Sequence, residues 1–163
     1  IEKSGYAAST DSMFDGAFMI LVPDEGIDKM KLDYVKMFFI SIGFHRITLT
    51  TAKEHDEIIA YTSQLAHVVS SAYIKSPTSV RNLGFSAGSF KDMTRVAFLN
   101  EPMWTELFFQ NKEFLLNEVD IFIENMKQYR EALANLDRDK MMSLLAEGKK
   151  QRVAAWTAVS QKK

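Results

Sequence analysis

The chain has 163 residues, of which 47% are hydrophobic and 12% aromatic, enough apolar side chains for a folded core. Twenty Lys and Arg against 21 Asp and Glu give a net charge of -1, so no long-range field favours nucleic acid or an anionic membrane as a partner. The absence of Cys excludes disulfides, thiolate nucleophiles and Cys-ligated metal sites. The lack of Cys fits a cytoplasmic location, which we expect. No segment approaches the roughly 18 continuous apolar residues that span a bilayer.

The first 50 residues carry the pattern of a strand, a helix and a second strand. The apolar run "AFMILV" at 17–22 ends at Pro23-Asp24-Glu25-Gly26, which predicts a buried strand and a turn. From 27 to 42 the apolar residues recur every three or four positions, and Gly43 follows where a helix C-cap glycine belongs. The alternating "HRITLT" at 45–50 predicts a second strand. This order predicts a βαβ unit with parallel strands, which we expect to belong to a larger sheet.

From residue 51 onward every periodic segment predicts a helix. Thr51 and Glu54 have the spacing of a capping box, and Ser76-Pro77 ends the helix that the box begins. A last helix is expected to be capped by Asp137 or Asp139. The helices before it are predicted at about 51–75, 89–98 and 101–133.

The predicted helix at 101–133 carries a heptad pattern of apolar residues, which we name the seam. Such a seam requires a partner helix, either within this chain or in a second copy of it, and the pattern alone leaves both open. Its members recur at spacings of three and four: Trp104, Phe108, Asn111, Leu115, Val119, Phe122, Met126, Tyr129 and Leu133.

The histidines give little support for a metal site. His55 and His67 are 12 residues apart on one predicted helix, which places them about 120° apart around its axis. No HExxH pattern is present, so no metal site is expected, and His45 has no assigned role. Ser63 and His67 share a helix face and could together bind one polar ligand atom. A buried, hydrogen-bonded histidine explains the same spacing.

The stretch "GFSAGSFKDMTR" at 84–95 sets three charged residues within one helical turn, behind a run of small residues. Arg95 and Asp92 could form a weak surface ion pair. Alternatively, Asp92 could orient the Arg95 guanidinium to bind a substrate carboxylate with two hydrogen bonds, while Lys91 faces solvent. The chain contains no phosphate-binding glycine loop and no plausible Ser-His-Asp order, so its own residues do not make a complete enzyme.

Four segments in the same order and spacing resemble the C-terminal part of the prephenate dehydrogenase family. They are "EKSGY" at 2–6, "EHDEIIAYTSQLAH" at 54–67, "SAGSFKDMTRVA" at 86–97 and "MWTELFFQNKEFLL" at 103–116. The resemblance implies a mainly α fold, with a βαβ remnant of a Rossmann-type nucleotide-binding domain at 1–50. It also implies an all-helical dimerisation and substrate-binding domain at 51–163, with homodimerisation through that domain.

The resemblance further implies an NAD-dependent oxidoreductase that acts on prephenate. The catalytic histidine of the family is expected upstream of Ile1, so this chain alone is expected to be inactive, and its own cofactor-binding residues are unknown. The sequence leaves open prephenate against arogenate and NAD against NADP. A non-catalytic helical dimerisation module is the alternative from a different class.

The site residues follow by matching the family motifs position by position. Arg95 matches the prephenate-binding arginine, with Asp92 beside it. The other expected members of the substrate site are Ser63, His55 and His67, and Glu2 matches a supporting glutamate near the cleft mouth. Three features depart from the family pattern: Gln64 replaces a histidine, Ala66 a proline, and Ala87-Gly88-Ser89 a run of glycines.

Overall fold

The computed structural model describes residues 6–85 and 88–160. The described chain is mainly helical and contains one two-stranded sheet. Its strands are β1 (Phe18–Leu21) and β2 (Arg46–Leu49), and its α-helices are α1 (Lys29–Ser41), α2 (Ala52–Ile59), α3 (Ala66–Ile74), α4 (Gly88–Thr94), α5 (Glu101–Gln110), α6 (Lys112–Ala134) and α7 (Arg138–Ser160). A π-helical turn occupies Ala60–Leu65, and short 3-10 turns occupy Tyr6–Ala8, Pro77–Arg81 and Arg95–Ala97.

The predicted βαβ unit is confirmed. β1 and β2 pair in parallel, with Phe18 opposite Arg46 at one end and Leu21 opposite Leu49 at the other. The crossover helix α1 begins where the Asp28 side chain accepts a hydrogen bond from the backbone N–H of Lys31 at 3.0 Å. It ends before Gly43, whose φ of 110° is readily adopted only by glycine.

The predicted helix at 51–75 begins as expected but is not a regular α-helix throughout. Thr51 caps α2 by accepting the N–H of Glu54 at 3.2 Å. The Glu54 carboxylate accepts instead from the hydroxyl of Thr50, so the two side chains do not form a reciprocal capping box. Between α2 and α3, the π-helical turn at Ala60–Leu65 shifts the direction of every later side chain. Apolar periodicity did not predict this turn.

The prediction of one continuous helix at 101–133 was wrong. α5 begins with Asn100, whose side chain accepts the N–H of Met103 at 3.1 Å, and it ends at Gln110. Asn111 separates α5 from α6 with φ −110° and ψ 29°, outside the helical region. The seam is therefore divided between two helices.

Packing divides the chain into two compact units, 1–116 and 117–163. In the second unit the backbone N–H of Lys140 donates to Asp137 at 2.9 Å, so Asp137 rather than Asp139 caps α7. Ala132 and Leu144 are buried within this unit. The predicted domain boundary at residue 50 differs from this division and stays a prediction.

The seam is buried at its start and exposed at its end. Trp104 and Leu115 are each 7% exposed, whereas Met126 and Leu133 are 52% and 67% exposed. Along the described parts of the chain, no helix is long and apolar enough to cross a membrane.

Candidate functional site

His67 lies in the first turn of α3, and its ring is held by a backbone carbonyl. Nδ1 is 3.0 Å from the carbonyl oxygen of Val96. Because a carbonyl only accepts, Nδ1 carries the proton in this contact. Nε2 is then an acceptor in the neutral ring and a donor in the protonated ring, and no second hydrogen bond joins it to another described residue. The nitrogen that could meet a ligand is therefore Nε2.

The other contact of His67 is the indole of Trp104 on α5. The two ring centroids are 3.9 Å apart with an interplanar angle of 48°, and Trp104 in turn contacts Phe108 at 5.5 Å. Trp104 is almost fully buried, and its indole packs against the imidazole of His67. The sequence pattern placed Trp104 only in the seam. Its position within the resembling "MWTELFFQNKEFLL" segment was the available signal for a role near the site.

Arg95 follows directly after α4 and opens the 3-10 turn that contains Val96. Two hydrogen bonds dock this segment on α3: His67 binds the Val96 carbonyl, and the Ser70 hydroxyl donates to the Met93 carbonyl at 2.7 Å. Arg95 thus lies one residue from the carbonyl that orients His67. Arg95 and Asp92 are both exposed.

Of the remaining predicted site residues, neither Ser63 nor His55 forms a hydrogen bond with His67 within the described part of the chain. Ser63 is half-buried in the π-helical turn, four residues before His67. Nδ1 of His55 lies 2.8 Å from the carboxylate of Asp56, so His55 pairs with its own neighbour at the start of α2. Glu2 lies outside the described residues.

Gln64, one of the departures from the family pattern, is buried, and both polar atoms of its side chain are hydrogen-bonded. Its Nε2 donates to the Leu107 carbonyl at 3.2 Å, and its Oε1 accepts from Nδ2 of Asn111 at 2.9 Å. Nδ2 of Asn111 also donates to the Asp56 carbonyl at 2.8 Å. The sequence placed Asn111 in the seam and marked Gln64 only as a departure from the family pattern.

A cavity of about 620 Å³ lies at the other end of α3. Tyr73 and Phe90 line it together with residues of the Pro77–Arg81 turn, and none of the predicted site residues contributes to it. Among residues 6–85 and 88–160, no three or more His, Asp or Glu side chains are grouped so that they could hold a metal ion.

The family assignment rests on a match to the family model described as "Prephenate dehydrogenase, dimerization domain" over residues 51–147. This match covers more than half of the chain. The chain therefore belongs to the prephenate dehydrogenase family through its dimerization domain, which confirms the resemblance and the mainly helical fold class.

Two characterised relatives extend the similarity beyond that domain. A cyclohexadienyl dehydrogenase from Zymomonas mobilis is 34% identical over 96% of this chain and 55% of its own length. A prephenate dehydrogenase from Bacillus subtilis is 28% identical over 85% of this chain and 38% of its own length. The chain thus spans about half, or less, of the length of these relatives.

Solved structures show the same fold. A prephenate dehydrogenase from A. aeolicus, in complex with hydroxyphenyl propionate and NAD+, aligns with a TM-score of 0.78 at 28% identity over 95% of this chain and 56% of that one. An arogenate dehydrogenase from Synechocystis aligns with a TM-score of 0.71 at 22% identity over 88% of this chain and 54% of that one. The second likeness concerns the fold alone.

Proposed function

We propose that this chain is the substrate-binding and dimerising region of an NAD-dependent prephenate dehydrogenase of tyrosine biosynthesis. The reaction is the oxidative decarboxylation of prephenate to 4-hydroxyphenylpyruvate. The observation that carries the proposal is the contact of His67 with Val96, since it links the imidazole to the segment that bears Arg95. The family match and the relatives named above support the same reaction.

The chemistry of prephenate explains why such residues are needed. Hydride leaves C4 of the ring while the C4 hydroxyl gives up its proton, and the ring then loses its carboxylate as carbon dioxide. The electrons of the broken C–C bond make the ring aromatic, and the oxygen regains a proton as a phenol. A dianionic substrate requires cationic or hydrogen-bonding partners that hold it in one orientation.

In this proposal Arg95 binds one substrate carboxylate, with Asp92 as its neighbour on the same segment. Nε2 of His67 faces the substrate, because Nδ1 is occupied by the Val96 carbonyl. Ser63 adds a hydroxyl from the π-helical turn, and His55 and Glu2 keep supporting roles. Strong binding of the ring carboxylate would oppose its departure as carbon dioxide. We therefore propose that Arg95 binds the carboxylate of the substrate side chain.

NAD supplies the hydride acceptor when it is bound. The described residues do not fit its pyrophosphate: β1 leads into Pro23-Asp24-Glu25-Gly26 rather than a glycine-rich turn that opens a helix. We therefore assign NAD binding, together with the catalytic histidine, to a part of the protein outside this chain.

Homodimerisation is proposed through the seam and α7. The exposed apolar residues of the second unit support it, since Leu133 on α6 and Trp156 on α7 are 67% and 61% exposed. Large apolar side chains grouped on helices are typical of a subunit interface. A cytoplasmic location accompanies the proposal.

The test is a steady-state assay of the full-length protein with prephenate and NAD, with NADH formation followed by its absorbance. Prephenate with NADP, and arogenate with either cofactor, are the matched alternatives, because one relative is a cyclohexadienyl dehydrogenase and one structural neighbour an arogenate dehydrogenase. Turnover with prephenate and NAD supports the proposal. Absence of turnover with every pair, in a protein that dimerises, would favour the non-catalytic module.

A further inference from the structure

A buried pair of amides joins two distant segments beside the candidate site. Gln64 is 5% exposed and lies in the π-helical turn, and Asn111 lies between α5 and α6. A buried amide is costly unless its donors and acceptors are satisfied. Here the Gln64 oxygen accepts from Asn111 at 2.9 Å and its nitrogen donates to Leu107 at 3.2 Å.

The pair also defines the point at which the predicted long helix is broken. The Leu107 carbonyl, in the last turn of α5, accepts both the backbone N–H of Asn111 at 3.3 Å and the Gln64 side chain. Gln64 thus adds a second hydrogen bond, from another segment of the chain, to a carbonyl in the last turn of α5. The second hydrogen bond of Nδ2 of Asn111, to the Asp56 carbonyl, ties the same break to α2.

The hydrogen bonds of the amide pair involve residues that are close in sequence to members of the candidate site. On one side Gln64 immediately follows Ser63 and precedes His67 by three residues. On the other side Leu107 is three residues after Trp104, the indole that packs on His67 at 3.9 Å. The hydrogen bond between Gln64 and Leu107 therefore helps to fix the position of α5 relative to the π-helical turn. Since Trp104 belongs to α5, the same bond helps to fix the indole that packs on His67.

We propose that Gln64 and Asn111 are positioning residues that hold Ser63, His67 and Trp104 in the arrangement needed to bind prephenate. The inference rests on the proposed function and extends it to two residues that do not touch the substrate. Hydrogen bonds to main-chain carbonyls of both α2 and α5 make the pair a brace between these elements.

The same chemistry explains how the family pattern can carry histidine at position 64. A neutral imidazole, like an amide, offers both a donor and an acceptor. Gln64→His can therefore keep one bond to Leu107 and one to Asn111. Gln64→Met has a similar length but can make neither. The two variants separate hydrogen bonding from side-chain volume.

The first measurement is kcat/KM for prephenate in the full-length enzyme. We expect Gln64→Met to lower it about 10- to 100-fold, because small displacements of positioning groups have effects of this size. Gln64→His should restore most of the loss. The matched control is Asn82→Ala. It also removes a hydrogen bond from a side-chain amide to a main-chain carbonyl, that of Ser79 at 2.6 Å, but outside the candidate site. It should leave kcat/KM unchanged.

The second measurement does not depend on activity. The enzyme is labelled with 5-fluorotryptophan, and the ¹⁹F NMR signal of Trp104 is identified by its loss in Trp104→Phe. Gln64→Met should shift this signal, whereas Gln64→His and Asn82→Ala should leave it near its wild-type position. If Gln64→Met does not fold, Asn111→Asp provides the same test, because it keeps the size of Asn111 but removes both side-chain N–H donors.

The outcomes test the positioning role and the proposed function separately. An unchanged Trp104 signal and an unchanged kcat/KM in folded Gln64→Met would overturn the positioning role, and so would failure of Gln64→His to restore either. If the wild-type enzyme does not turn over prephenate, the proposed function fails. The ¹⁹F signal then still decides whether the amide pair positions His67 and Trp104.

Discussion

The imidazole of His67 donates a hydrogen bond from Nδ1 to the main-chain carbonyl of Val96 at 3.0 Å. This contact selects one tautomer and leaves Nε2 as the ring nitrogen that could bind a ligand. It also ties α3 to the turn that begins with Arg95, so one hydrogen bond relates the two residues to which the proposed function assigns substrate binding. The relation can be tested by substitutions that imitate one ring nitrogen at a time.

Substitutions of His67 should separate its structural and binding roles. The amide nitrogen of His67→Asn can replace Nδ1, whereas that of His67→Gln reaches nearer to the position of Nε2. We expect His67→Gln to lose about 0.5–1.5 kcal/mol of unfolding free energy and His67→Asn to lose less, because only Asn keeps the bond to Val96. Urea denaturation measures the difference. Equal losses in the two variants would argue against the importance of the Val96 contact.

Although His67→Asn should lose less unfolding free energy than His67→Gln, it should still impair catalysis. His67→Asn should lower kcat/KM for prephenate about 10- to 100-fold, the effect of losing a hydrogen bond to a charged ligand. Wild-type kcat/KM in His67→Asn would show that Nε2 does not meet the substrate.

Arg95→Ala should weaken prephenate binding in the full-length enzyme. Arg95 is exposed in this chain, so the expected loss of about 2–4 kcal/mol applies to a guanidinium that becomes buried against the substrate, the range for breaking a buried hydrogen-bonded charge pair. The loss should appear in KM more than in kcat if Arg95 contributes to ground-state binding. Lys91→Ala is the matched control, since Lys91 is an exposed cation on α4, four residues before Arg95. An equal effect of both substitutions would indicate a general charge effect instead of a specific contact.

Met126→Glu should weaken the proposed dimer. Met126 is 52% exposed in the single chain, and a carboxylate buried there against an apolar partner would lack a counter-charge. We expect the dimer Kd to rise about 100-fold, equivalent to about 2.7 kcal/mol. Sedimentation velocity across micromolar concentrations measures the change. Asn117→Glu adds the same side chain at an exposed position of α6 outside the seam, and it should leave the protein dimeric.

Two glycine substitutions should change stability in opposite directions. Gly43→Ala forces a side chain into φ 110° and brings its Cβ to 2.9 Å from the Asp15 carboxylate, so we expect a loss of at least about 1 kcal/mol. Gly148→Ala lies within α7, where the nearest atom to the new Cβ is the Tyr129 hydroxyl at 3.9 Å. Higher helix propensity should make it more stable by about 0.5–1 kcal/mol. Chemical denaturation of both variants checks the signs.

The sequence predicted the βαβ unit and most helix ends because those features depend on local patterns. Gly43 and Asp137 act on residues within a few positions of themselves, and a pattern of that range is visible in the chain. The break at Asn111 was missed for the opposite reason. Its apolar neighbours continue a helical period, and the groups that stabilise the break belong to Gln64 and Asp56, about 50 residues earlier.

For the candidate site, the sequence by itself determined the residue types and the family, because motifs in a fixed order identified Arg95, His67 and Ser63. Only the tertiary structure decided which nitrogen of His67 is presented, that Trp104 lies beneath it, and that Gln64 is a satisfied buried amide. These facts depend on contacts between segments far apart in the chain. The partners are main-chain carbonyls, which every residue possesses, so no side-chain pattern could identify them.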